Sequence, residues 1–296
     1  MASINNYNLS NKTLYIYTEN LNFFYKLNKE LKRLNIDFEI LYIGRKLPTI
    51  SSIVLTTLDE IKKLENIPEK LIILPHSSKD NFNHYILEVL AAVHLEFKDY
   101  YSELTFSIDP GTTQIGIVVF LDDFYLHAQT IYEKELFIET INNYIECFQK
   151  KNLNLLRLNF KIGRGVKPII IDLVKKIFSN FEDRKQMKVY LVDEAKSSKL
   201  KIQGNLNRIK SKHERSALII AMRKGIEVDI RDYLKVIKHG KFYNQNYYGN
   251  KEINSEQKME DAVKLKEILS RLLNDDISLS KSSQILEKYN SCSAHI

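Results

Sequence analysis

The segment Phe106-Ser-Ile-Asp-Pro-Gly-Thr-Thr-Gln-Ile-Gly-Ile-Val-Val-Phe120 sets one carboxylate, Asp109, between an apolar run and a Pro-Gly turn. An acid at the end of a strand projects from a sheet edge while backbone pairing holds it rigid, which suits a divalent cation or a phosphoryl group. Asp also opens turns with no further role. Downstream, Val192-Asp193-Glu194 closes another strand pattern, and His213-Glu214-Arg215-Ser216-Ala217 opens a helical one. Lys161, Gly163, Arg164 and Gly165 make a basic strand-to-helix turn, where Arg164 can meet a phosphate or simply face solvent. Between the two acidic motifs, Lys196, Lys199, Lys201, Arg208, Lys210, Lys212 and Arg215 stand against the single acid Glu214. That run is either a phosphate-binding surface or a solvated loop. Lys241 and Tyr243 belong to a later stretch that mixes bases with aromatics, suited to stacking on unpaired bases or to anchoring the tail.

The elements around these residues fall into two patterns. The first hundred residues alternate strand-like runs (Thr13 to Thr18, Asp37 to Ile43, Ile53 to Leu55, Leu71 to Leu74) with helical ones (Asn20 to Leu34, Asn81 to Phe97). They predict a small α/β domain over 1–100 with no Gly-rich phosphate loop. Leu104 to Asp109, Ile115 to Leu121 and Phe124 to Ile131 then follow one another through short turns, a β-meander. Helix-linked strands at Leu155 to Ile162 and Val189 to Val192 complete a βββ-α-β-α-β-α order over 101–226. That order predicts a mixed five-stranded sheet with helices on both faces, the RNase H-like arrangement. Residues 227–296 read as a helical C-terminal extension carrying the basic and aromatic loop.

Composition narrows the class. Apolar residues make up 44% and charged residues 27% of 296, which excludes wholesale disorder. Lys and Arg exceed Asp and Glu by 44 to 37, a mild basic excess that permits an anionic partner without requiring one. Cys147 and Cys292 are far apart and form no CxxC, against a disulfide scaffold or zinc ribbon and in favour of a reducing, cytoplasmic setting. No apolar run approaches the roughly 18 residues of a membrane span, and the polar start MASINNYNLSNKT has no signal-peptide core. The histidines match no metal-ligand spacing, and neither a Ser/His/Asp elbow nor a P-loop is present.

Three motifs in order carry a resemblance. Ile108-Asp-Pro-Gly with Gly116 in the following strand, Val192-Asp193-Glu194-Ala195-Lys196-Ser197-Ser198, and His213-Glu214-Arg215-Ser216-Ala217 resemble those of RuvC/YqgF-like nucleases, of the RNase H-like superfamily. The likeness spans about Leu104 to Arg223. It implies two-metal phosphodiester hydrolysis with Mg²⁺ or Mn²⁺, on branched DNA of the Holliday-junction kind. Asp109 would bridge the metals, Glu194 would supply a second carboxylate, and Glu214 (or His213) would stand in where Ser216 replaces the family's last Asp. The implied partner is nucleic acid, DNA ahead of RNA. A homodimer fits symmetric junctions, although no residue marks its interface.

The Ser216 departure keeps a second reading open, a nucleic-acid-binding protein on the same fold that has lost catalysis. A third, an actin-like-fold kinase, ranks below both. Asp109-Pro-Gly-Thr-Thr resembles its first phosphate motif, but nine glycines and the lack of a second such turn speak against it.

Overall fold

A computed structural model describes residues 12–95, 98, 100–150, 152, 154–193, 208–239 and 255–292. The chain divides into two units, 1–99 and 100–296.

In the first unit, β1 (Thr13–Ile16), β2 (Glu39–Ile40), β3 (Ser52–Thr57) and β4 (Leu71–His76) form a parallel sheet in the order β2-β1-β3-β4. Helices α1 (Leu21–Leu34), α2 (Leu58–Ile61) and α3 (Phe82–His94) follow β1, β3 and β4. Ser52–Thr57 is buried along its length, as a central parallel strand must be. Pro75, beyond the run read as Leu71 to Leu74, lies inside β4 opposite Thr56. An edge strand tolerates a residue with no N–H to donate outward. Asn20 caps α1 by accepting from the Phe23 N–H at 3.1 Å, and Phe23, Leu27 and Leu31 form the helix's buried stripe.

The second unit holds β5 (Glu103–Pro110), β6 (Ile115–Leu121), β7 (Phe124–Ile131), β8 (Arg157–Gly163), β9 (Met187–Val192) and β10 (Gly225–Val228). They form one mixed sheet in the order β10-β9-β8-β5-β6-β7. The meander β5-β6-β7 is antiparallel, whereas β5, β8 and β9 run parallel. This is the RNase H-like order. The sheet has six strands and not the expected five, because Gly225–Val228 returns immediately after a helix and pairs antiparallel with β9. Helices α4 (Phe137–Gln149) and α5 (Lys167–Phe181) cover one face, where Phe106 packs on Tyr144 and Phe160 on Phe181. Helix α6 (Lys212–Met222) crosses the other, with the Ser107 hydroxyl donating to the Ala217 carbonyl at 2.6 Å.

The β6–β7 turn explains how this layer is closed. Asp122 and Asp123 both have positive φ (46° and 75°), the requirement of a two-residue hairpin turn that suits the strand twist. The Asp122 carboxylate accepts from the N–H groups of Ser102 and Glu103, at 2.7 and 3.1 Å. That of Asp123 accepts from the Ser280 N–H at 3.0 Å, near the start of the last helix. The segment read as a helical C-terminal extension lies within this unit. Its helices α7 (Tyr233–His239), α8 (Ser255–Leu273) and α9 (Leu279–Cys292) include Leu265, Leu269, Leu272 and Leu279, which share a core with Val118, Phe120 and Leu218. Among the described residues no helix is long and apolar enough to cross a membrane.

Candidate functional site

Strands β5, β8 and β9 end along one edge of the sheet. Ile108 pairs with Ile162 and Gly163 with Val192, so Pro110, Arg164 and Asp193 leave the sheet at neighbouring levels. In open α/β sheets the carboxyl edge is where ligands gather, because the strand ends converge there and side chains from several chain positions meet.

Asp109 stands at this edge under the first turn of α6. Two glycines let the helix come so close. A Cβ on Gly116, the partner of Asp109 across β5 and β6, would lie 2.3 Å from the backbone C and O of His213. One on Gly111 would lie 2.9 Å from His213 Cε1. With both Cβ atoms absent, His213 Nδ1 sits 2.8 Å from Asp109 Oδ2, joining residues 104 apart in the chain. An ionised carboxylate only accepts, so with Asp109 charged the proton of this bond is on Nδ1 and Nε2 points its lone pair or proton elsewhere. Asp109 is 9% exposed. Burial pushes its carboxyl above the usual Asp range, against the opposing pull of the His213 hydrogen bond and charge and of the Lys212 charge.

Glu214, expected to help catalysis, is committed to the fold. Ser211 and Glu214 make a capping box: the Ser211 hydroxyl accepts from the Glu214 N–H at 3.0 Å, and Glu214 Oε2 accepts from the Ser211 and Lys210 N–H groups at 3.3 and 2.7 Å. Its Oε1 accepts from Thr130 at 2.8 Å, and the residue is 4% exposed. Oε2 thus closes donors at the helix start, and Oε1 ties that start to β7. The Ser-x-x-Glu spacing was visible in the sequence as a cap signature.

The basic residues separate into internal and exposed ones. Lys161 is not part of a flexible turn. It lies within β8, on the face α6 covers, and its ammonium donates to the Ala221 carbonyl near the helix end. Burial pushes it down to about 8. Arg208 also faces inward. Its guanidinium donates to the Leu273 carbonyl, reaches Asp275 at 3.1 Å and lies 5.8 Å from the centre of the Tyr125 ring. Burial raises Asp275 to about 7 despite that pairing. Lys210 and Lys212 are exposed at the start of α6, while Arg164, whose N–H donates to the Val192 carbonyl at 2.9 Å, and Arg215 are half-buried. Ser216 is half-buried in the same helix. Glu194, Lys196, Lys199, Lys201, Lys241 and Tyr243 lie outside the described residues.

Among the described residues no group of three or more His, Cys, Asp or Glu side chains can hold a metal ion. Asp109 and His213 are two donors, and Glu214 is occupied by backbone N–H groups. The described residues therefore do not fit a two-metal site, and no chemical step is routed through one. The Asp109–His213 pairing is what the sequence reasoning missed as a unit: it named both residues, but nothing local tells which acid an imidazole a hundred residues away will meet.

No protein-family model matches this sequence, and no curated protein matches it. Among solved structures, the chain is similar to Marinitoga piezophila Argonaute in complex with 5′ OH guide RNA and target DNA. The identity is 15% and the TM-score 0.24, over 62% of this chain and 39% of that one. It is also similar to Aa-Ago with externally bound siRNA, at 12% identity and TM-score 0.21, over 62% of this chain and 35% of that one. The chain thus covers well under half the length of either. Superpositions this loose assign no role to any residue here.

Proposed function

We propose that the second unit binds nucleic acid at the carboxyl edge of its RNase H-like sheet, with DNA as the first substrate to test. The observation that carries this reading is the Asp109–His213 pair set under the first turn of α6 beside exposed Lys210 and Lys212. Two exposed lysines beside the helix start attract phosphate, and the imidazole that Asp109 holds supplies a fixed polar contact next to Lys212 in the chain. The motif resemblance and the basic run between the two acidic motifs support it as well.

Phosphodiester hydrolysis is the finer reading, favoured by the 2.8 Å contact. Asp109 orients the ring through Nδ1, so that Nε2 of a neutral His213 can take a proton from water as its oxygen bonds to phosphorus; the P–O ester bond opposite breaks, and the leaving oxygen takes up a proton from solvent or from the imidazolium. A metal-dependent version needs Glu194 to join Asp109.

The test uses the whole chain with labelled four-way junctions, flaps, linear duplexes and single-stranded RNA, in Mg²⁺, in Mn²⁺ and in chelator. Binding should be weakened about tenfold by Lys210→Glu with Lys212→Glu, with a shallower salt dependence. Binding with an unchanged salt slope removes the edge from the interface. Cleavage lost in both Asp109→Asn and His213→Ala supports hydrolysis. Binding without cleavage under every condition leaves a binding protein.

A further inference from the structure

The first unit as a whole is electrically balanced: residues 1–99 contain twelve Lys and Arg and twelve Asp and Glu. Its charge is nevertheless uneven. Helix α1 carries Lys26, Lys29, Lys32 and Arg33 against the single acid Glu30, which Arg33 engages at 2.7 Å. Lys26, Lys29 and Lys32 are exposed, with no ion-pair partner among the described residues. Steps of three residues along an α-helix keep successive side chains near one side, so the three ammonium groups form a stripe about 9 Å long. Beside it stand two large side chains that a solvent-facing surface does not call for, Leu21 at 80% and Tyr25 at 68% exposure. The opposite face is already satisfied by Phe23, Leu27 and Leu31, so neither is needed by the core.

We propose that this face of α1 is a second nucleic-acid contact, in which Lys26, Lys29 and Lys32 follow the phosphates of a single strand and Tyr25 stacks on an unpaired base. Like charges spaced by three residues repel, a local cost that an anionic backbone removes. A neutral protein surface needs no such stripe, and a lysine row flanked by one exposed aromatic ring is the chemistry single strands select. The assignment rests on the nucleic-acid reading above but concerns different residues in a different unit.

The experiment measures binding of the full chain to a labelled single-stranded oligonucleotide over a range of salt. Comparison variants are Lys26→Gln/Lys29→Gln/Lys32→Gln and, separately, Tyr25→Ala, each checked for an unchanged melting temperature. The triple variant should bind on the order of tenfold more weakly at low salt, with a log–log salt slope lower by about 2. Tyr25→Ala should lose about tenfold with the slope kept. Wild-type binding that neither variant changes overturns this proposal and leaves the carboxyl-edge site standing. A wild type that binds no single-stranded oligonucleotide overturns this proposal, while the carboxyl-edge site is judged separately by the junctions, flaps and duplexes. Loss of binding to anionic vesicles in the triple variant, with oligonucleotide binding intact, also overturns it and gives the stripe to lipid.

Discussion

Glu60 in the first unit and Asp109 in the second are both buried carboxylates, 6% and 9% exposed, yet they titrate in opposite directions. Burial pushes Glu60 up, but hydrogen bonds from the Thr18 and Thr57 hydroxyls at 2.6 and 2.7 Å and the Glu19 N–H at 2.6 Å outweigh it and hold the carboxyl below the usual range. Burial also pushes Asp109 up, and His213, its one hydrogen-bond partner among the described residues, does not compensate. Glu60 is the joint between β1, β3 and α2. Asp109 is held at a sheet edge with acceptor capacity unused among the described residues. Burial alone does not separate a structural acid from a functional one; the count of donors does.

Three experiments can break that comparison. Glu60→Ala orphans two hydroxyls and an N–H and should destabilise the first unit by about 3 kcal/mol in urea unfolding. A loss under about 1 kcal/mol would mean that these donors find water instead. Lys161 is the cationic counterpart of Asp109 on the same sheet face, with the Ala221 carbonyl as its partner. Lowered to about 8, it is more readily neutral in the folded state, so its contribution to stability rises as pH climbs from about 8 towards its unfolded value. Lys161→Met should therefore stabilise by about 1–2 kcal/mol near neutrality, an advantage that fades in alkali. A variant less stable than wild type at every pH would show the hydrogen bond to α6 to be worth more than the burial costs.

The smallest effect is expected at Asp109→Asn, under about 1 kcal/mol near neutrality. Its value lies in the sign of the pH dependence. A raised acid binds its proton more tightly when folded, so wild type should lose stability relative to Asp109→Asn as pH rises out of the ordinary Asp range. Glu60→Gln should behave oppositely, with wild type losing its advantage as pH falls through the lowered folded value of Glu60. Parallel pH profiles for the two variants would end the distinction.

Much of this architecture was legible along the chain. Alternating and β-branched runs marked the meander, and the two-residue Asp122-Asp123 turn required antiparallel neighbours. Asp109 was singled out by its place between an apolar strand and Pro-Gly. The misreadings have local causes. Glu214 was taken for a spare acid although Ser211 three residues earlier marks it as a cap. Lys161 was counted with the basic turn although the strand read over Leu155 to Ile162 already contained it, and its place in that strand turns it inward towards α6.

The sequence by itself determined the strand and helix order, the polarity of the meander and the strand-end position of Asp109, because these follow from side-chain periodicity and turn chemistry within a dozen residues. Tertiary structure alone decided which charges are available. The close approach over Gly116 brought His213 to Asp109, the α8–α9 turn took Arg208, and the helix start took Glu214. Each outcome depends on which donor or acceptor arrives from a distant part of the chain, and a carboxylate's chemistry is set by that neighbour and by the loss of water around it.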